Sequence, residues 1–442
     1  MNKHQSRVVI TGIGIVSAAG IGIEETWKRI RNNRPTATLV KVPGAAGTMT
    51  QFQAFIAPEY SISEVVETAL PRSQFEKESL DFSPDLKHLV AAVGLALDDA
   101  NMRSAGVDLD EVGVVVADEH PGVEQLSRKL FQGISIDESA SLSDNIFELN
   151  SFLVPHRIAR LFGLGGECLH VNSACTSGLN AMDCAALQVR NNRATFSIAT
   201  GCDDPLSSGK FEWFAKRELY DLSGKLSTCS SEASGTVFGD GGAALVFEDR
   251  DHAIARGAKI YAEFLGAGFT QDGWRINAPH PQKANQARAI RRALSDACVD
   301  PDQINVVVPH YTGIRPTNQY ELRCIKDVWA KCENEPFCLP LKPFVGHNLG
   351  GASILEAAIL AKMIEAQQMP RNDAQVTSRI DLLISESSDW VATEINLAVK
   401  ASAAFAGYYG AVVLGRHNTK SLLRDAAFNQ KNKKVNIDDV QF

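Results

Sequence analysis

The sequence predicts an α/β protein whose architecture is duplicated within one chain, and three observations carry that prediction. Apolar, β-branched runs alternate with segments of helical periodicity along nearly the whole length. Two sets of such elements follow one another in the same layout, each opening on a strand that ends in a glycine turn. Each set also sends a later strand into a reactive residue, HVNSAC into Cys175 and INVVVPH into His310. Sites in α/β proteins lie at strand ends, so the two halves are expected to meet at a shared site.

In the first half, RVVITGIGIV (7–16) reads as a buried strand, EETWKRIRNN (24–33) as an amphipathic helix and DLKHLVAAVGLALDDANM (85–102) as a long helix. VGVVVAD (112–118), HVNSAC (170–175), TFSIATG (195–201) and GGAALVFED (241–249) read as strands. The second half offers strands at KIYAEFLGAG (259–268) and INVVVPH (304–310) and helices at 284–297, 317–330 and 351–364. LAVKASAAFAGYYGAVVLGR (397–416) ends the ordered pattern. The expected division is residues 1–255 for the nucleophile half, 256–417 for the histidine half and 418–442 as a surface tail without periodicity.

With 442 residues, 45% hydrophobic and 22% charged, the chain has the composition of a globular protein with a large core. A formal charge of −8 argues against a general nucleic-acid binder, although it leaves room for a local basic patch. No run of eighteen apolar residues is present, so no membrane span is expected. MNKHQSRVVITG lacks the apolar centre of a signal peptide, which points to the cytoplasm. Nine cysteines with no CxxC pair fit reduced thiols and offer no zinc spacing, so neither a disulfide scaffold nor a metal is expected. TGIGIVSAAGIG looks like a dinucleotide-binding turn, but Ser17 stands where that fingerprint needs glycine.

Cysteine is usually a small buried hydrophobe. Cys175 departs from that pattern by its place before a helix, where backbone N–H groups and the helix dipole favour thiolate. His310 in VVVPHYTG and His347 in LKPFVGHNLGGAS each follow an apolar segment and have glycine within three positions. A lone histidine of this kind is more often structural than catalytic. A thiol with two imidazoles, however, is what acyl transfer through a thioester requires: one group carries the acyl chain and the others hold a carbonyl oxygen as charge develops.

The motifs SACTSGLNA, HYTGIRPTNQYE and KPFVGHNLGGAS, with RVVITGIGIVSAAG, ARGAKIYAEFLGAG and GTVFGDGGAALVFE, resemble those of β-ketoacyl-acyl carrier protein synthases of the elongating type over residues 7–416. The resemblance implies a duplicated thiolase-like fold layered αβαβα. It makes Cys175 the acyl acceptor and His310 and His347 the donors to an enolate formed when malonyl-acyl carrier protein loses carbon dioxide. It further implies a Lys342–Glu321 charged pair, Phe405 as a gate beside the thiol, Thr312 against the pantetheine arm, and an oxyanion site at the Cys175 and Phe405 amides. The activity implied is decarboxylative Claisen condensation in type II polyketide or specialised fatty acid biosynthesis. Acyl carrier protein would be the partner, with a homodimer or a heterodimer with a related subunit, and no cofactor or metal. A non-decarboxylating acyltransferase and a chain-length-determining partner subunit are the alternatives.

Four departures from the family pattern bear on the substrate. Ile314 replaces a second pantetheine-contacting threonine, the usual GFGG reads Ala404-Phe405-Ala406-Gly407, STCS occupies 227–230, and ADEHPG (117–122) replaces a glycine-rich turn at the floor of the acyl pocket. His120 is assigned to that pocket, and Asp118 and Glu119 beside it would be costly against a saturated alkyl chain. An acyl chain other than a plain saturated one (polyene, aryl or poly-β-keto) is therefore expected. Arg128, Lys129, Lys210, Lys216 and Arg217 are candidates for a basic patch facing the acidic carrier.

Overall fold

The computed structural model describes residues 6–32, 35–44, 48–119, 150–228, 232–370 and 389–417. Its centre is a sheet of ten principal strands: β1 (Val8–Ser17), β2 (Gly113–Ala117), β3 (Cys168–Val171), β4 (Phe196–Cys202), β5 (Gly241–Asp249), β6 (Ala262–Gln271), β7 (Val306–Val308), β8 (Phe337–Cys338), β9 (Leu397–Ala403) and β10 (Tyr408–Gly415). They run in the order β8-β7-β9-β10-β6-β1-β5-β4-β2-β3, with the short strand Gly20–Ile21 paired to β1. The order repeats about the β1/β6 seam. On one side β1, β5 and β4 pair antiparallel, then β4, β2 and β3 pair parallel. On the other, β6, β10 and β9 pair antiparallel, then β9, β7 and β8 pair parallel. The seam is antiparallel, Val8 opposite Phe264 and Ile10 opposite Ala262.

Alternation along the strands sorts side chains into layers. Val115, Ala117, Val306 and Val308 enter one inner core with helices α2 (Ser177–Arg190) and α5 (Ala352–Ala366). Val114 and Val116 turn outward beneath α1 (Pro84–Asp99), and Val307 turns outward beneath α3 (Asn285–Asp296) and α4 (Arg315–Trp329). Because both sheet faces are covered, the strands read as nearly unbroken apolar runs. The layers are αβαβα, as the resemblance implies.

The dinucleotide-like glycines of β1 serve packing. A Cβ on Gly14 would lie 1.8 Å from the Ala92 carbonyl oxygen, and one on Gly12 2.3 Å from that of Ala96, so α1 can rest directly on the strand. Gly178 does the same for the inner helices, since its Cβ would meet the Ile354 nitrogen at 2.7 Å. Two expected strands are shorter than read: β3 stops at Val171 and β7 at Val308. The residues that follow have side chains and glycines that favour turns, which is where Cys175 and His310 sit. No helix of the described residues is long and apolar enough to cross a membrane.

Candidate active site

Cys175 sits on a tight turn made by its own neighbours. Ala174 takes φ +51°, a left-handed conformation that costs a side chain energy and so needs support. Ser177 Oγ accepts from the Ser173 N–H at 2.8 Å and donates to the Ala174 carbonyl at 2.6 Å. Thr176 Oγ1 donates to the Ser173 carbonyl at 2.8 Å, and Asn180 donates to Ser173 Oγ at 2.8 Å. The polar residues of NSACTSGLNA thus hold the sulfur at the start of α2.

His310 lies two residues beyond β7. Glu321, on the buried face of α4, accepts the His310 and Tyr311 backbone N–H groups at 2.8 Å each, and Gln286 also donates to it. Burial raises the Glu321 carboxyl, and those two backbone donors oppose the rise. His347 is held by the GTVFGDGG stretch: its N–H donates to the Val237 carbonyl at 2.9 Å and its carbonyl accepts from Gly239 at 3.1 Å. A Cβ on Gly346 (φ +74°) would lie 2.6 Å from Gly239 Cα, so this approach requires glycine.

Both loops deliver their rings to the thiol. Cys175 Sγ lies 3.5 Å from His347 Nε2, the two imidazoles stand edge to face with centroids 5.3 Å apart, and one donor atom from each of the three residues falls within 4.8 Å of the others. All three are buried. They line one pocket with Thr312, Ile314, Phe405 and Ile276. Phe405 is half-buried against Trp213 and Phe214, and Ala406 beside it takes φ +59° where the family pattern has glycine.

Behind His310 is an arrangement that differs from the expected charged pair. Lys342 does not pair with Glu321; it reaches Glu356 at 3.0 Å, and Lys400 reaches the same carboxylate oxygen at 2.9 Å. The reason is local: both oxygens of Glu321 are taken by backbone amides, whereas Glu356, in the first turns of α5, faces the lysines. Lys342 Nζ also lies 3.4 Å from His310 Nδ1. An ammonium can only donate, so Nδ1 is the acceptor and the ring proton sits on Nε2. Ser402 Oγ adds a contact to Nδ1 at 3.3 Å and donates to the Cys175 carbonyl at 3.1 Å. Burial, then Lys342, His347 and Lys400, hold His310 well below the usual histidine range, and burial with the two lysines does the same to His347. Both rings are neutral at pH 7. Burial and the like charge of Lys342 lower Lys400 to about 8, against the pull of Glu356.

The thiolate expectation fails for the resting site. Burial, and then the negative charge of Glu119, push the Cys175 thiol well above its ordinary value despite the helix behind it. The basic-patch expectation fails for Lys210, which turns inward to the Asp204 carbonyl at 2.6 Å and Asp203 at 3.7 Å. Lys216 and Arg217 are exposed, Arg217 over the Trp213 ring that backs Phe405. His120, Arg128 and Lys129, and the proposed tail 418–442, lie outside the described residues. Of the two acids at the end of β2, Asp118 is buried and Glu119 reaches the thiol.

Glu356, Lys400 and Ser402 escaped sequence reading. Their signal was present: a carboxylate in the otherwise apolar ASILEAAIL and a lysine inside the buried strand LAVKASA. Such residues are almost never fully buried unless paired.

Residues 5–253 match the beta-ketoacyl synthase N-terminal domain and residues 261–374 the beta-ketoacyl synthase C-terminal domain. The chain belongs to the beta-ketoacyl synthase family. Within it, the 3-oxoacyl-[acyl-carrier-protein] synthase 2 of Synechocystis is 26% identical over 382 residues, 84% of this chain and 88% of that protein. The tetracenomycin polyketide synthase ketoacyl synthase alpha subunit of Streptomyces glaucescens is 26% identical over 433 residues, 94% of this chain and 99% of that protein. The ishigamide ketosynthase/chain length factor superposes with a TM-score of 0.78 at 24% identity, covering 94% of this chain and 100% of that one. That likeness shows the beta-ketoacyl synthase fold.

Proposed function

We propose that this chain is a condensing ketosynthase that joins a Cys175-bound acyl group to a malonyl unit carried on acyl carrier protein. The observation that carries the reading is the convergence of one thiol and two neutral imidazoles within 4.8 Å in one pocket. Cys175 takes the acyl chain from a carrier thioester. His310, through Nε2–H, and His347 hold the thioester oxygen as malonyl loses carbon dioxide, and the carbanion attacks the acyl-enzyme. Neutral donors suit this step, since they bind developing charge without a proton to lose. The oxyanion then meets the Cys175 and Phe405 amides; the neighbouring Thr176, Ser177, Ala404 and Ala406 amides are engaged elsewhere in the backbone. Lys342, anchored by Glu356, fixes the His310 tautomer, and Glu321 fixes its backbone.

Two donors for one oxygen favour condensation over simple acyl transfer, and the thiol favours a catalytic over a chain-length-determining subunit. The halves, 1–255 and 256–417, supply the nucleophile and the two histidines respectively. The working assembly would be a homodimer or a heterodimer with a related subunit, with substrates arriving on acyl carrier protein and no other cofactor. A carboxyl beside the sulfur favours an acyl chain that is not a plain alkane, which a panel of acyl carriers would test. The decisive assay is carbon dioxide release with ketone formation from acyl and malonyl carriers. Cys175→Ala should abolish ketone formation, and His310→Ala should cut it by roughly two to three orders of magnitude, the usual cost of one oxyanion donor. Full ketone-forming turnover by Cys175→Ala would refute the reading.

A further inference from the structure

The thiol of Cys175 is touched from two sides. His347 lies on the side of the pocket, while Glu119 hydrogen-bonds the sulfur and is not among the residues lining that pocket. We propose that Glu119 is the proton acceptor for Cys175 during acyl loading, which leaves the two imidazoles neutral for the malonyl half-reaction. The inference rests on the ketosynthase reading above.

The geometry holds the carboxyl in place. The Glu119 carbonyl accepts from Asn172 Nδ2 at 2.9 Å, three residues before the nucleophile, and the Glu119 N–H approaches Asp203 Oδ2 at 3.4 Å. That same aspartate oxygen accepts the Gly350 N–H at 2.8 Å. A Cβ on Gly350 would sit 2.7 Å from Asp203 and 3.0 Å from Glu119 Cγ, so this glycine clears room for the two acids. One carboxyl oxygen of Glu119 is sealed from solvent, although the residue as a whole is only half-buried.

A buried thiol must give up its proton to attack, and the groups facing it are few. Glu119 and Asp203 are the acids, Lys342 is the cation, and His347 makes the direct contact on the other side. His347 is a poor acceptor, because a second cation there would face Lys342 and Lys400 in a dry site. Glu119 faces Asp203 and Lys210 as well as the thiol. Burial and Asp203 raise it to about 8, while Lys210 opposes them. Its proton affinity thus lies well above that of a free carboxylate and nearer to that of the raised thiol it faces, which favours transfer between them.

In the step, the S–H bond breaks as its proton moves to the Glu119 carboxylate, and the sulfur pair forms the bond to the acyl carbon. When that tetrahedral adduct collapses, the carrier sulfur leaves with the bonding pair and takes the proton from Glu119. Both sulfurs are bonded to one carbon at that point, so a group touching the first is near the second. No net proton is consumed.

The test uses the full chain with 2,4-hexadienoyl-pantetheine, a short polyene thioester, as acyl donor. Single-turnover acylation of Cys175 is read by intact mass, and alkylation of Cys175 by iodoacetamide by peptide mass, both from pH 6 to 9. Wild-type acylation should climb with pH through about 8, as Glu119 ionises. Glu119→Gln should lose that limb and load at least tenfold more slowly at pH 8. Its alkylation should hold or rise, because removing the adjacent acid favours the thiolate. Glu119→Asp should keep the limb at a reduced rate, which preserves the test if the glutamine variant folds poorly. An unchanged loading profile in Glu119→Gln, or equal slowing of loading and alkylation, would overturn the inference while leaving the ketosynthase reading intact. Absence of wild-type acylation would overturn both.

Discussion

Replacing Glu356 by glutamine tests the charge arrangement behind His310 most directly. In the native site two ammonium groups, each with a side chain under 2% exposed, share one carboxylate oxygen at 2.9–3.0 Å. Among these three groups the net charge is therefore one positive unit, and the variant would raise it to two. Removing one partner of a buried ion pair costs about 3–5 kcal/mol. The site can limit that cost by discharging Lys400, which burial already lowers to about 8 and which would fall further without Glu356. An unfolding entropy of about 2.1 cal/mol/K per residue gives about 0.9 kcal/mol/K for 442 residues, so the expected fall in Tm is about 3–5 °C. Differential scanning fluorimetry at pH 7.5 reads it, and adding Lys400→Met should recover most of the loss by removing the surplus charge. The double variant should still decarboxylate slowly, because Lys342 has lost the anchor that aims it at His310 Nδ1. A Tm within 1 °C of wild type for Glu356→Gln, or no recovery with Lys400→Met, would refute this account of the site.

Other expectations follow from single contacts. Gly14→Ala should lower stability by roughly 3 kcal/mol or more, since its Cβ would press into the Ala92 carbonyl at 1.8 Å, whereas Gly209→Ala, with nothing within 4 Å, should have little effect on Tm. Ala406→Gly should raise Tm by about 1 °C by relieving a φ of +59°, worth about 1 kcal/mol. Ala404→Gly, at φ −140°, should give no gain, and equal shifts for the two would refute the strain argument. Both site histidines are held neutral well below their usual range, so the unfolded chain binds protons that the folded chain refuses. Stability should therefore fall as pH drops below about 6.5, and His347→Gln should flatten that slope in Tm measured against pH.

Much of the fold was legible because periodicity reports burial. The apolar runs of β1, β5 and β10 and the repeated layout of the halves predict covered strands in a duplicated α/β frame. Strand ends were harder to read. HVNSAC is apolar at first and then polar, and only the hydrogen bonds of Ser173, Thr176 and Ser177 turn the chain after Val171. The TGIGIVSAAG glycines kept their local meaning of close approach, but whether a ligand or a helix approached was not written in that stretch. Lys342 likewise needed a buried acid partner, and sequence distance offered Glu321 as readily as Glu356.

By itself, the sequence determined the element types, the reactive residues at strand ends and the family, because these depend on local pattern and on motifs a few residues long. Tertiary structure alone decided who faces whom: Glu356 rather than Glu321 at Lys342, Lys210 turned inward, and Glu119 against the thiol. Those choices depend on side chains that lie 7 residues apart for Lys210 and Asp203, 14 for Lys342 and Glu356, and 56 for Glu119 and Cys175. Burial magnifies every charge among them, and no one-dimensional spacing records which two will share a dry pocket.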